Sequence, residues 1–257
     1  MDHDRYLDCL AADYARLRAV VPLDPDAAVP TCPGWSVADL TRHVGEVYLH
    51  KAAAMREGAE PEPWPPPELA DEEPLALLER AYASLRGEFA TRRPEDPSGT
   101  WYKPDQTVGF WGRRMAQETV IHRIDAELGA GATVAPVPDD LAVDGCDELL
   151  KVFLAYSVAE WGRYFTDILD GSPTWRFALR TGGAAWQVVT GPGTCTVTDG
   201  TPDGTADGQA DVSVSGPPAE LLRWLWNREG ADPAAVTVDG PPEAVELLRR
   251  CIVTSTQ

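Results

Sequence analysis

The sequence is short of positive charge, of histidine and of paired cysteine, and it has no long apolar run. Lys and Arg total 22 against 41 Asp and Glu, a formal charge of −19. A surface of that sign repels phosphate backbones and anionic lipid, so neither nucleic acid nor a membrane is expected as a partner. No stretch approaches the ~20 apolar residues of a membrane span. The N-terminal MDHDRYLDCLAADYARL is acidic and periodic, unlike a signal peptide, so a cytoplasmic location is expected. The five cysteines (Cys9, Cys32, Cys146, Cys195, Cys251) are odd in number, scattered and without a CxxC pair. That pattern argues against a disulfide framework or a cysteine-rich zinc site. Most of them read as small buried hydrophobes.

What is present falls into two kinds of local grammar. Residues 1–170 read as helices separated by proline-rich loops, and residues 171–257 as a small α+β domain. Tyr6, Leu7, Leu10, Tyr14 and Leu17 recur at helical spacing, and Pro22 and Pro25 end that run. Ser36 offers a cap with Asp39 three residues on, starting a second helix that runs to about Gly58. EPEPWPPPELADEEP is a stiff connector by composition. A third helix is expected over about 74–91 and a fourth over about 109–128. Four such helices suggest an antiparallel bundle. A fifth helical stretch, about 139–170, packs on that bundle or bridges to the C-terminal domain. After Gly171, TWRFALRT, AAWQVVT, TCTVTD, ADVSVSG and AAVTVDG read as strands, with helices at PPAELLRWLWNREG and PPEAVELLRRCI.

Chemistry concentrates in two segments. In QETVIHRIDAE, Glu118 and His122 are four apart and share a helix face, a spacing that can hold a divalent metal. His43 sits at the margin of the apolar stripe of the second helix. Together His43, Glu118 and His122 would leave a coordination position open, as catalytic zinc sites do. A competing set, His43, Glu46 and His50, is disfavoured because residues seven apart are ~10.5 Å apart along a helix axis. His50 then belongs at a pocket mouth or on the surface, and His3 has no evident role. Asp125 can orient an imidazole as an acceptor or simply pair with a surface arginine. Arg123 reads as a surface charge or salt-bridge partner. Trp101, Tyr102 and Trp111 lie in or beside a long loop, where packing is favoured over lining a pocket. Cys32 has no base or cation nearby in its segment and reads as structural.

PTCPGWSVADLTRHVGE, followed by QETVIHRIDAELGAG, resembles the mycothiol-dependent maleylpyruvate isomerase family, whose members are DinB-like metal-binding bundles. The resemblance covers nearly the whole chain, including an appended C-terminal α+β domain. It implies metal ligation by His43, Glu118 and His122, with Zn²⁺ as the metal and mycothiol as the thiol cosubstrate. It also implies a substrate- or thiol-facing role for Arg228, although Asn227 stands where the family commonly has glycine. Arg228 and Asp125 are therefore the catalytic candidates and Arg228 the cofactor-binding one. The expected activity is S-transfer from an activated thiol to an electrophilic small molecule, with cis–trans isomerisation of the maleylpyruvate type as the alternative. A non-catalytic metal-binding stress protein is a further reading, and a metal-dependent hydrolase with Asp125 or Glu46 as base ranks behind it. The chain is expected to be a monomer or weak homo-oligomer.

Overall fold

The computed structural model describes residues 1–201, 210–229 and 234–256 and divides into two compact units, Met1–Ala135 and Pro136–Gln257. The first is a four-helix bundle of α1 (His3–Val20), α2 (Val37–Glu57), α3 (Pro74–Thr91) and α4 (Val108–Gly129). Each helix starts where the sequence supplies a side-chain cap. Asp2 caps α1, Glu73 caps α3 and Thr107 caps α4, each accepting from a first-turn N–H. At α2, Ser36 and Asp39 form a reciprocal capping box, and Gly58, at φ +73°, ends the helix in the left-handed region.

The bundle is not a simple up-and-down array. Arg18 bonds Glu79 and Tyr14 stacks on Tyr82, while His3 meets Phe89, so α1 and α3 are antiparallel. Gly45 abuts Leu77 and Leu78, and Arg56 bonds Glu88 eleven residues further along both helices, so α2 and α3 run parallel. The proline-rich connector 58–73 must therefore travel back along most of α2, to the level of Arg42, which donates to its Leu69 and Glu72 carbonyls. At 1.5 Å per residue the 21-residue helix is about 31 Å long.

A buried ionic network joins the parallel pair α1 and α4. The Arg123 guanidinium, fully buried, donates to Asp13 Oδ1 at 3.0 Å, to Glu127 Oε2 at 2.8 Å and to the Ala135 carbonyl at 2.8 Å. Arg16 reaches Glu127 Oε1 at 2.6 Å from the solvent side. Of the two roles expected for Arg123, the salt-bridge partner is the one observed, and the residue lies in the core rather than on the surface.

The second unit begins earlier than the change of grammar at residue 171. The fifth helical stretch consists of α5 (Asp139–Glu148), a π-helical segment (Leu149–Ala155), α6 (Tyr156–Glu160), a 3₁₀ turn and α7 (Thr166–Leu169). These pieces pack with the sheet and helices of the second unit, which is why the compact units divide after Ala135 rather than at residue 170. The strands β1 (Trp175–Thr181), β2 (Ala184–Gly191), β3 (Thr194–Asp199), β4 (Val212–Ser215) and β5 (Thr237–Asp239) form one sheet in the order β3-β2-β1-β4-β5. Only β1 and β4 are parallel within it. Helices α8 (Pro218–Leu225) and α9 (Pro242–Ser255) complete the unit. The fold is thus α+β, a helical bundle followed by a small mixed-sheet domain.

Candidate metal centre

α2 and α4 face each other antiparallel, with His43 opposite His122 and Lys51 opposite Trp111. The i,i+4 spacing on α4 puts Glu118 and His122 on the face turned to α2, and His43 meets them there. His122 Nε2 lies 3.2 Å and His43 Nε2 3.4 Å from the same oxygen, Glu118 Oε1. The ligand atoms of the three residues lie within 4.8 Å of one another. His43 is 36% exposed against 16% for Glu118 and 12% for His122, so the cluster opens to solvent on the His43 side.

Each member is held from behind. Arg114, one turn before Glu118, donates to Glu118 Oε2 at 2.8 Å and leaves Oε1 to the imidazoles. Asp125, fully buried, takes His122 Nδ1 at 3.0 Å through Oδ2. That bond makes Nδ1 the hydrogen-bearing nitrogen and directs Nε2 at Glu118. Asp125 also accepts from Thr31 Oγ1 at 2.5 Å and from Cys32 Sγ at 3.6 Å. The Trp35 ring lies 4.9 Å from the His43 ring.

The electrostatics follow from this packing. Burial alone would raise the Glu118 carboxyl, but His122, His43 and Arg114 outweigh it and hold the group well below the usual carboxylate range. Burial would lower His122, but Glu118 and Asp125 outweigh that and raise it to about 9. The metal-free cluster is therefore an imidazolium–carboxylate pair, and a cation taking Nε2 displaces its proton.

Sequence reasoning anticipated the convergence of His43, Glu118 and His122. It missed Arg114, although four residues before Glu118 on one helix is a legible spacing, and it missed Thr31, which is 94 residues from Asp125 and left no signal. His50 lines an open cleft of about 670 Å³ with Pro61, Glu62, Pro63 and Trp64, as a pocket-mouth residue would. Burial, then the adjacent Lys51 charge, pushes His50 down to about 4. Trp111 is fully buried and donates to Ser98 Oγ and the Gly99 carbonyl, both at 3.1 Å. Trp101 and Tyr102 pack with Phe110. A second group with metal-ligand geometry among the described residues, Cys32, His122 and Asp125, shares the His122 ring.

Arg228 lies in the second unit, on the turn that ends α8. Arg228 N–H bonds the Arg223 carbonyl at 2.7 Å and Asn227 N–H the Trp224 carbonyl at 3.2 Å, the paired bonds of a Schellman cap. Asn227 sits at φ +54°, a left-handed conformation that asparagine tolerates better than most residues, so the turn survives the absence of glycine. The Arg228 Nη1 donates to the Trp226 carbonyl at 2.6 Å.

Comparison with known proteins bears on both units. The mycothiol maleylpyruvate isomerase N-terminal domain family matches residues 7–127, and its C-terminal domain family matches residues 140–247. The crystal structure of a mycothiol-dependent maleylpyruvate isomerase is similar in fold at TM-score 0.63 and 19% identity, covering 95% of this chain and 96% of that one. A histidine-to-alanine mutant of such an isomerase aligns over the same shares at TM-score 0.62 and 18% identity. No curated protein matches the sequence. Among the described residues no helix is long and apolar enough to cross a membrane.

Proposed function

The chain belongs to the mycothiol maleylpyruvate isomerase family, and on that premise we propose that it is a metal- and thiol-dependent cis–trans isomerase. Its substrate would be a small alkene conjugated to a carbonyl, of the maleylpyruvate type, and mycothiol its thiol cosubstrate. The observation that carries the reading is the convergence of two imidazoles and a carboxylate, partly open to solvent, in a chain of this family.

The residues fit a divalent metal. Two neutral-capable nitrogen donors and one carboxylate oxygen are the donor set of catalytic zinc sites, and Glu118 is already ionised. His43, Glu118 and His122 would hold the ion. When bound, zinc supplies an open coordination position and stabilises the deprotonated form of a thiol placed there. Arg114 keeps Glu118 presenting one oxygen, and Asp125 keeps His122 presenting Nε2. Asp125 is thus a positioning residue. Its burial and its bonds to His122, Thr31 and Cys32 disfavour it as a base for water, one of the two bases the hydrolase reading could use. Arg228 is proposed to bind a carboxylate of the substrate or the thiol.

In the reaction the thiolate sulfur bonds to one alkene carbon, and the π pair moves onto the conjugated carbonyl oxygen. Rotation then occurs about what is now a single bond. Collapse of the enolate re-forms the double bond and expels the thiolate, so the thiol is not consumed. S-transfer, placed first on sequence grounds, would stop at the thioether; the family match supports isomerisation ahead of it. The test is conversion of the cis substrate with mycothiol, without it, and after chelator treatment. Conversion only when thiol and metal are both present is expected. Equal rates without thiol would overturn the proposal.

A further inference from the structure

The segment between α1 and α2 meets the metal centre at both of its histidines. At one end Thr31 and Cys32 bond the two carboxylate oxygens of Asp125, whose Oδ2 takes His122 Nδ1. At the other end Trp35 lies against His43, with ring planes tilted by 54°. The two imidazoles are themselves 5.1 Å apart, edge to face.

The segment is stiff enough to transmit this geometry. Its backbone closes on itself, with Val29 N–H to the Trp35 carbonyl at 2.9 Å, Cys32 N–H to Val29 at 3.1 Å and Trp35 N–H to Cys32 at 3.0 Å. A bridge pairs Ala28 with Ser36, and Gly34 makes the turn at φ +87°, where a side chain would be strained. Ser36 then passes directly into the capping box of α2, the helix that carries His43.

We propose that the loop 29–36 is a clamp that orients both imidazole ligands, with Thr31, Cys32 and Trp35 as its positioning residues. Thr31 sets the rotation of the Asp125 carboxylate, and the carboxylate sets the plane of the His122 ring. Trp35 limits the ring of His43. Thr31 and Cys32 act only through Asp125. The clamp gives a role to a threonine and a cysteine that lie behind the site. It rests on reading His43, Glu118 and His122 as metal ligands.

The experiment uses the full chain with Zn²⁺ as the probe and compares wild type with Thr31→Val, Thr31→Ser and Cys32→Ala. Zinc affinity is measured by competition with a chromophoric chelator. In metal-free protein the hydrogen-bonded Nδ1–H proton of His122 is followed by NMR. Removing an outer-shell partner of a metal ligand typically costs about 10–100-fold in affinity; Thr31 acts one bond further out, through Asp125, so Thr31→Val is expected to lose about tenfold, the low end of that range. Thr31→Ser should restore binding to near the wild-type level. The Nδ1–H signal should broaden or disappear in Thr31→Val and return in Thr31→Ser. Cys32→Ala should lose less, because a thiol is the weaker donor, and it serves if Thr31→Val does not fold. Wild-type affinity and an unchanged Nδ1–H signal in Thr31→Val, or in Cys32→Ala where that variant stands in, would overturn the clamp. A wild-type protein that binds no zinc would overturn the metal reading instead, and the NMR comparison would still decide the clamp.

Discussion

Replacing Arg123 by methionine should destabilise the first unit by about 3 to 4 kcal/mol at neutral pH. The figure comes from the bonds that are lost. Breaking a buried ion pair by removing one partner costs about 3–5 kcal/mol, because the other charge is left behind. Arg123 has two such partners. Glu127 keeps Arg16 and the backbone N–H of Ala135, so its loss is partly offset. Asp13 is the group left exposed to the cost, which places the estimate in the lower part of the range. The pH dependence has a definite sign. Burial already raises the Asp13 carboxyl, and Arg123 opposes that rise. Without Arg123 its folded pKa moves higher still. A carboxyl whose folded pKa lies above the unfolded value binds more protons when folded, so stability falls as pH rises through that window. The deficit of Arg123→Met should therefore shrink as pH is lowered from 7 toward the ordinary carboxylate range. Urea unfolding at several pH values measures both effects, and Arg123→Met/Asp13→Asn should recover most of the loss. A deficit under about 1 kcal/mol, or one that grows on acidification, would refute the reasoning.

Two further outcomes come from packing. A Cβ on Gly45 would lie 2.9 Å from Leu77 Cγ and 3.2 Å from the Leu78 backbone nitrogen, where α2 and α3 touch. Gly45→Val should cost about 1–3 kcal/mol in chemical denaturation as an overpacked core. Cys9, Cys146, Cys195 and Cys251 are buried and only Cys32 is partly accessible; burial pushes Cys195 up to about 12 and Cys251 to about 11. A chromogenic disulfide reagent should therefore titrate at most one thiol in native protein and all five after unfolding.

Much of this architecture was legible from local signals. The periodicity of α3 and the capping box and Gly58 of α2 mark their ends in the sequence, and the strands were bounded by Gly, Pro and Asp. The course of the bundle was not legible. Nothing in a proline-rich connector says whether it makes a tight reversal or runs the length of a helix, so the parallel pairing of α2 and α3 emerged only from Gly45 and Arg56. Position 123 was left between surface charge and salt-bridge partner because α4 is enclosed on more than one side. Its polar residues turn inward to ion pairs on α1 as well as to the cluster of His43, Glu118 and His122, and charge alone could not tell these faces from solvent. The fifth helical stretch shares the helical grammar of the bundle, although its apolar faces serve the sheet. In the site, Glu118 and His122 were marked by spacing, while Asp125 and Thr31 meet only through tertiary structure.

In the proposed reaction a borrowed thiol catalyses isomerisation without being consumed. The most direct measurement incubates zinc-loaded protein with excess cis substrate and a small amount of mycothiol, tracking alkene and thiol resonances together by proton NMR. Many trans products per mycothiol, with the free thiol recovered in full, is the result this account predicts. Stoichiometric loss of thiol into a stable thioether would contradict it and make the protein an S-transferase.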